Sequence, residues 1–252
     1  MKQPKKIFTR MLINNWGGIS HRMMEFHEYV PDGVAVMTQR ILFEKVDKEG
    51  LSALAGRSVE AAQILSSAKP DILLFGCTTG SLIQGLGYDA KLIAQLEKAA
   101  HIPAVTTSTA LVAALKAMSI RKLVIATPYS DSVNQAEKQF LEDSGYEVLD
   151  IRGLGYTDPN CMPRTTTAEM YRLAKELPVA NADAVFVSCT GIQVMDGIAA
   201  MEADFQKPVL TSNQVSLWYT LQKLGIHESN APGSLFRLLY AVNDVFLPAN
   251  RT

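Results

Sequence analysis

Two stretches of the chain pair a thiol with a hydroxyl in the same setting, and each is a version of the other. Pro70-Asp71-Ile72-Leu73-Leu74-Phe75-Gly76-Cys77-Thr78 is echoed by Ala182-Asp183-Ala184-Val185-Phe186-Val187-Ser188-Cys189-Thr190: an aspartate, four apolar residues, a small residue, then Cys-Thr. Taken singly, a cysteine after an apolar run reads as a small buried hydrophobe. Taken together, two thiols at matching places in a repeat point to nucleophilic or acid–base chemistry on one substrate. A thiol with its ordinary pKa near 8.5 is only about 3% ionised at neutral pH, and helix N-termini lower that pKa. The polar turns Thr78-Thr79-Gly80-Ser81 and Thr190-Gly191 can open helices with unpaired backbone N–H groups. Those groups, with the hydroxyls beside them, suit a thiolate, a substrate carboxylate or a developing enolate. Helix capping is the plainer use of the same hydroxyls.

Other polar residues fall where strands should end. Thr106, Thr107 and Ser108, with Thr211, Ser212 and Asn213, extend the polar wall or serve only as turns. Tyr129 follows a proline at a strand end, where a phenol can donate to an anion. Asn14 and Asn15 occupy the analogous turn of the first half, where an Asx-turn is the alternative. Cys161 lies in Asp158-Pro159-Asn160-Cys161-Met162-Pro163, a proline-rich connecting loop, and is read as incidental.

The elements that must position these residues follow from hydrophobic patterning. Each apolar run before a Cys-Thr lacks polar alternation and is bounded by turn formers, the mark of a parallel strand buried on both faces. Residues 122–126 and 11–13 read as further strands, and 51–66, 89–100, 131–144 and 167–177 show helical spacing of apolar residues. Pro103-Ala104-Val105-Thr106 and Pro208-Val209-Leu210-Thr211 recur downstream of the two copies, each leading into a helical pattern. The alternation predicts an α/β fold of two pseudo-symmetric, open parallel-sheet lobes. Residues 1–115, completed by 214–252, form the first lobe, and 116–213 the second. Ligands of such sheets bind beyond the strands' carboxyl ends, so facing lobes place both Cys-Thr turns in one cleft.

Composition narrows the function. With 252 residues, 48% apolar and 19% charged, the chain has ample material for a core. A formal net charge of −1 supplies no basic excess for nucleic acid or an anionic membrane. No apolar run approaches the roughly 20 residues that span a bilayer, and residues 2–10 lack a secretory hydrophobic segment, so a cytoplasmic location is expected. Three scattered cysteines do not form a disulfide framework, and the four histidines show no metal-site spacing. Neither a complete dinucleotide fingerprint nor a phosphate-binding loop occurs. No metal and no cofactor is expected.

The pieces Phe75-Gly76-Cys77-Thr78-Thr79-Gly80-Ser81, Pro103-Ala104-Val105-Thr106-Thr107-Ser108-Thr109-Ala110, Thr127-Pro128-Tyr129 with Asn134, Ser188-Cys189-Thr190, and Thr211-Ser212-Asn213-Gln214 followed by Trp218 span nearly the whole chain. Together they resemble the aspartate/glutamate racemase superfamily and, within it, maleate cis-trans isomerases most. The resemblance implies two α/β lobes giving a cysteine each, with asparagine, tyrosine and backbone groups gripping a small carboxylate, and no cofactor. Asn160 matches a further asparagine of the family. Arylmalonate decarboxylases are similar in outline but keep only the second cysteine. Where the isomerases carry Pro-Ser-Ser-Asn, this chain reads Ile13-Asn14-Asn15-Trp16-Gly17-Gly18, so either asparagine can serve and Trp16 reshapes the pocket.

The expected reaction is addition of Cys77 to the double bond of a cis-dicarboxylate such as maleate, with Cys189 as acid and base and Thr78, Thr79, Thr190 and Gly191 beside them. A two-cysteine racemase of an amino acid, hydantoin or related carboxylate is the enzymatic alternative, and a non-catalytic carboxylate-binding protein the other. A homodimer or higher homo-oligomer is expected from the class.

Overall fold

The computed structural model describes residues 7–13, 22–42 and 44–241. Within them, β1 (Ile7–Ile13), β2 (Ala35–Ile41), β3 (Ile72–Gly76) and β4 (Ala104–Thr106) form one sheet of order β2-β1-β3-β4. The strands β5 (Lys122–Tyr129), β6 (Glu147–Tyr156), β7 (Ala184–Val187) and β8 (Val209–Thr211) form a second, of order β6-β5-β7-β8. The two orders are the same when the halves are overlaid, and every pairing in both is parallel. The repeat seen in the sequence is therefore a repeat of topology.

Helices link the strands: α1 (Arg22–Tyr29), α2 (Lys48–Ser66), α3 (Thr78–Leu82), α4 (Tyr88–Ala100) and α5 (Thr107–Ala117) in the first half. In the second half come α6 (Asp131–Asp143), α7 (Thr167–Lys175), α8 (Ile198–Phe205), α9 (Ser212–Lys223) and α10 (Ser234–Ala241). The central strands β3 and β7 are buried along their whole length, which is why they read as unbroken apolar runs. Asp183, ahead of β7, accepts hydrogen bonds from the Arg121 and Lys122 N–H groups at 2.9 Å each and so ties the start of β5 to β7. Thr106 and Thr211 cap α5 and α9 in the same way, accepting from Thr109 and Gln214 N–H, so their side chains are spent on local geometry.

Four strands differ from expectation. β5 runs on to Tyr129, whereas 127–131 reads as a turn. Beyond Ala126 it no longer pairs with β7 and continues only along β6, with a register shift between Thr127 and Tyr129 where Pro128 has no N–H to give. The edge strands β2 and β6 carry mixed, part-exposed sequences and show no apolar run. β1 begins four residues earlier than its apolar stretch suggests.

The two sheets meet through helices. The helices α5 and α9 pack on one another, and α9 also touches β3 and α1, so the chain that leaves the second sheet returns against the first. Among the described residues no helix is long and apolar enough to cross a membrane.

Candidate active site

Beyond the carboxyl end of β3, Cys77 is the N-cap of α3, with extended backbone (φ −145°, ψ 116°). Its sulfur accepts the Gly80 N–H at 3.2 Å and lies 3.9 Å from the Thr79 hydroxyl oxygen. This is an N-cap bond with sulfur in place of oxygen, and it favours the thiolate over the thiol. Glycine at position 80 is required by that approach, since a Cβ there would sit 2.9 Å from the Cys77 sulfur and 3.1 Å from Leu54 Cδ2.

Beyond β7 the second thiol reaches the same kind of partner by another route. Cys189 has φ of 116°, a value side-chain-bearing residues seldom adopt, and no helix follows its Thr190-Gly191 turn directly. The expected second helix opening is therefore replaced by a sharp reversal, in which the Gly191 N–H reaches back to the Cys189 sulfur at 3.1 Å. The strain is held in place by the Cys189 N–H donating to Ser212 Oγ at 3.0 Å and by the Thr190 hydroxyl donating to the Gly76 carbonyl at 3.0 Å.

Those bonds also join the two halves. Ser212 Oγ accepts from Cys189 N–H and from the Thr78 hydroxyl at 2.8 Å, so one oxygen bridges the residue after the first thiol to the backbone of the second. The Thr190–Gly76 bond crosses in the other direction, to the residue before Cys77. Both thiols are nearly enclosed, 9% and 6% exposed, and none of the three cysteines forms a disulfide.

Tyr129, at the end of β5, closes the group. Its pKa is pushed well above the ordinary 10 by burial first, then by the negative charges of Cys189, Glu137 and Cys77. The phenol stays protonated at working pH and serves as a donor. One buried hydroxyl thus senses both sulfurs, which puts Cys77, Cys189 and Tyr129 in one electrostatic environment.

Of the remaining expected site residues, Thr78, Thr79, Thr190 and Gly191 lie in this cluster, bonded as described. Asn160 is bonded within its own turn: its amide and backbone N–H both go to Asp158 Oδ1, at 2.7 and 2.9 Å, ahead of a short 3-10 helix whose first flanking residue is Cys161. Asn14, Asn15 and Trp16 lie outside the described residues.

Ser212, expected in the polar wall or as a turn residue, is the bridge, and two further contributors, Glu25 and Glu137, lie outside the expected site residues. Glu25 of α1 is buried, its carboxylate accepting Val194 and Met195 N–H at 2.8 Å each and the Asn213 amide at 2.6 Å, which anchors the loop after Cys189 to the first half. Glu137 of α6 is fully buried and accepts the Ser188 hydroxyl at 2.6 Å; burial raises its pKa to about 7 against the lowering effect of that bond.

Residues 25–236 match the family model described as arylmalonate decarboxylase (Amdase). A maleate isomerase of Pseudomonas putida is 29% identical over 210 residues, covering 81% of this chain and 84% of its own. The arylmalonate decarboxylase of Bordetella bronchiseptica is 28% identical over 190 residues, covering 75% and 79%. Among solved structures, a mutant of the Nocardia farcinica maleate cis-trans isomerase with a covalently bound succinylcysteine intermediate matches with a TM-score of 0.85 at 18% identity, over 92% of this chain and 99% of that one. The two-lobed parallel α/β fold is common to them.

Proposed function

The chain belongs to the arylmalonate decarboxylase family, and from that premise we propose that it is a cofactor-independent cis-trans isomerase of a small unsaturated dicarboxylate, with maleate converted to fumarate as the model reaction. The observation that carries the reading is the pair of sulfurs, each receiving a glycine N–H and both facing the electrostatics of one protonated phenol. Decarboxylation needs one proton donor at the carbon that loses carbon dioxide, and a second thiol is superfluous to it. Addition to a double bond uses both. A maleate isomerase and an arylmalonate decarboxylase match at nearly the same identity, 29% and 28%, so the choice between them rests on the two thiols.

In the proposed cycle the Cys77 thiolate forms an S–C bond to one alkene carbon, and the π pair moves to the neighbouring carbon as an enolate spread over its carboxylate. Backbone N–H groups and the Tyr129 hydroxyl stabilise that charge. Cys189 delivers its proton to the carbanionic carbon, leaving a succinyl thioether whose central C–C bond is single and free to turn. After rotation the Cys189 thiolate takes a proton back from that carbon, the electron pair re-forms the double bond, and Cys77 leaves as thiolate. Atoms and charge balance, and no redox partner is needed. In the Nocardia farcinica enzyme a succinylcysteine, the species such an addition creates, is bound covalently.

A proton NMR time course of the reduced protein with maleate tests the assignment. Fumarate should form with the wild type and fall at least about 10³-fold with Cys77→Ala. A Cys77→Ala protein that keeps the wild-type rate would overturn the covalent scheme. Absence of fumarate with the wild type, together with solvent deuterium entering the alpha carbon of an amino acid in D₂O, would replace isomerisation with two-thiol racemisation.

A further inference from the structure

Glu137 is a buried ionisable group that the addition, rotation and elimination steps leave unused. On α6 it falls on the apolar face, four residues after Val133 and three and four before Phe140 and Leu141, all of them buried. A carboxyl in such a place costs several kcal/mol if charged and unpaired, so it is retained for a reason other than packing. One oxygen accepts the Ser188 hydroxyl at 2.6 Å, and the other, Oε2, has no hydrogen-bond partner among the described residues. Ser188, whose N–H is held by the Ala126 carbonyl at 2.9 Å, is the residue that leads β7 into the strained Cys189. The charge on Glu137 also reaches the Tyr129 phenol, which feels the charge of Cys189 as well.

We propose that Glu137 is a positioning residue for the second thiol: through Ser188 it holds the Cys189 turn, and the charge on its carboxyl sets how readily Cys189 gives up its proton. A carboxylate there opposes a second negative charge and keeps Cys189 a proton donor, while the neutral acid lets the thiolate form and act as base. The proposed cycle uses Cys189 in both roles. With its pKa near 7, Glu137 switches between the two forms in the working range.

The Ser188 hydroxyl is bonded to this carboxyl, and its charge is felt by the Tyr129 phenol of β5, which also feels Cys189 from beyond β7 and Cys77 from ahead of α3. On β6, which also packs on α6, Asp150 and Arg152 pair with each other at 3.3 Å near the surface. On α6 itself Lys138 pairs with Glu142 on the outer side. Among the described residues no cation pairs with Glu137.

The catalytic meaning of the proposal rests on the isomerase reading, so its test uses no substrate. In the full chain carrying Cys77→Ser and Cys161→Ser, Cys189 is the sole thiol, and its thiolate is followed by ultraviolet absorbance as pH is raised. Adding Glu137→Gln, which keeps the shape and an acceptor for Ser188, should move the midpoint down by about one pH unit or more, with the excess of thiolate confined to pH above about 7, where the Glu137 carboxyl is charged. A folded Glu137→Gln protein with an unmoved midpoint overturns the proposal. If that variant does not fold, Glu137→Met asks the same question: it removes the charge and fills the buried position with an apolar side chain of similar length, so the midpoint must again fall, and an unmoved midpoint again overturns the proposal. Failure to convert maleate would remove the isomerase reading and leave this shift standing, so the two ideas fail separately.

Discussion

A sulfur becomes a nucleophile or a proton carrier through its immediate neighbours, and here the neighbours are backbone N–H groups of Gly80 and Gly191. The first of these can be tested without touching a reacting atom. In Gly80→Ala the new methyl meets the Cys77 sulfur at 2.9 Å and Leu54 Cδ2 at 3.1 Å. The sulfur must move, and displacement of a reacting atom by as little as about 1 Å can cost 10²-fold in rate. Crowding costs roughly 1–3 kcal/mol, offset in part by alanine's helix preference of about 1 kcal/mol. The expected outcome is kcat lowered about 10- to 100-fold with stability little changed, read by steady-state kinetics beside thermal unfolding. An unchanged kcat would show that the thiol does not depend on this close approach. The two Cys-Thr turns were legible because they repeat, and Tyr129 because a phenol after proline at a strand end has few other uses. Glu137 left a signal too, a carboxylate on the apolar stripe of a helix, at 0% exposure once folded. Ser212 stood in a polar cluster at a strand end, but its bridging role was not legible: a serine after a strand is ordinary turn chemistry until the other half of the molecule is in place.

Helices do the joining between the halves, and α9 most of all. Ser212, Ser216 and Thr220 line one buried stripe of it at four-residue spacing. The Ser216 and Thr220 hydroxyls donate back to the Ser212 and Ser216 carbonyls at 2.7 Å, and Ser216 also meets Thr107 of α5 at 3.0 Å. Small side chains that satisfy themselves let α5 and α9 approach closely and bring the start of α9 under both cysteine turns. Ser212→Ala removes the acceptor for the Cys189 N–H and the Thr78 hydroxyl. Leaving a buried donor unpaired costs about 1–3 kcal/mol. Urea unfolding should show a loss of about 2 kcal/mol, with kcat falling more than KM changes. No change in either would mean that the bridge does not hold the turns. The elements were legible in proportion to their burial: β3 and β7 at once, β2 and β6 not at all, because an edge strand faces solvent and carries a mixed sequence. The missing helix after Cys189 was not legible either, since the copies differ in backbone conformation while sharing the Cys-Thr pair.

On the scale of the whole molecule, the repeated strand order and the repeated thiol are one fact: two similar halves each carry a cysteine at the end of a central strand. Bonds that cross between the halves, from Thr78 to Ser212, from Thr190 to Gly76 and from the 194–195 backbone to Glu25, make the pair of turns a single unit. The account therefore requires that one substrate meet both thiols in sequence, addition by Cys77 and proton transfer by Cys189. The most direct test is to incubate Cys189→Ser with maleate and map the products by mass spectrometry of the intact chain and its peptides. With serine or solvent supplying the first proton slowly and no thiol to take it back, the adduct should accumulate, and the peptide holding Cys77 should gain the mass of one maleic acid. A Cys189→Ser protein that turns maleate over at the wild-type rate with Cys77 never modified, or one that carries the added mass only at Cys161, would contradict it.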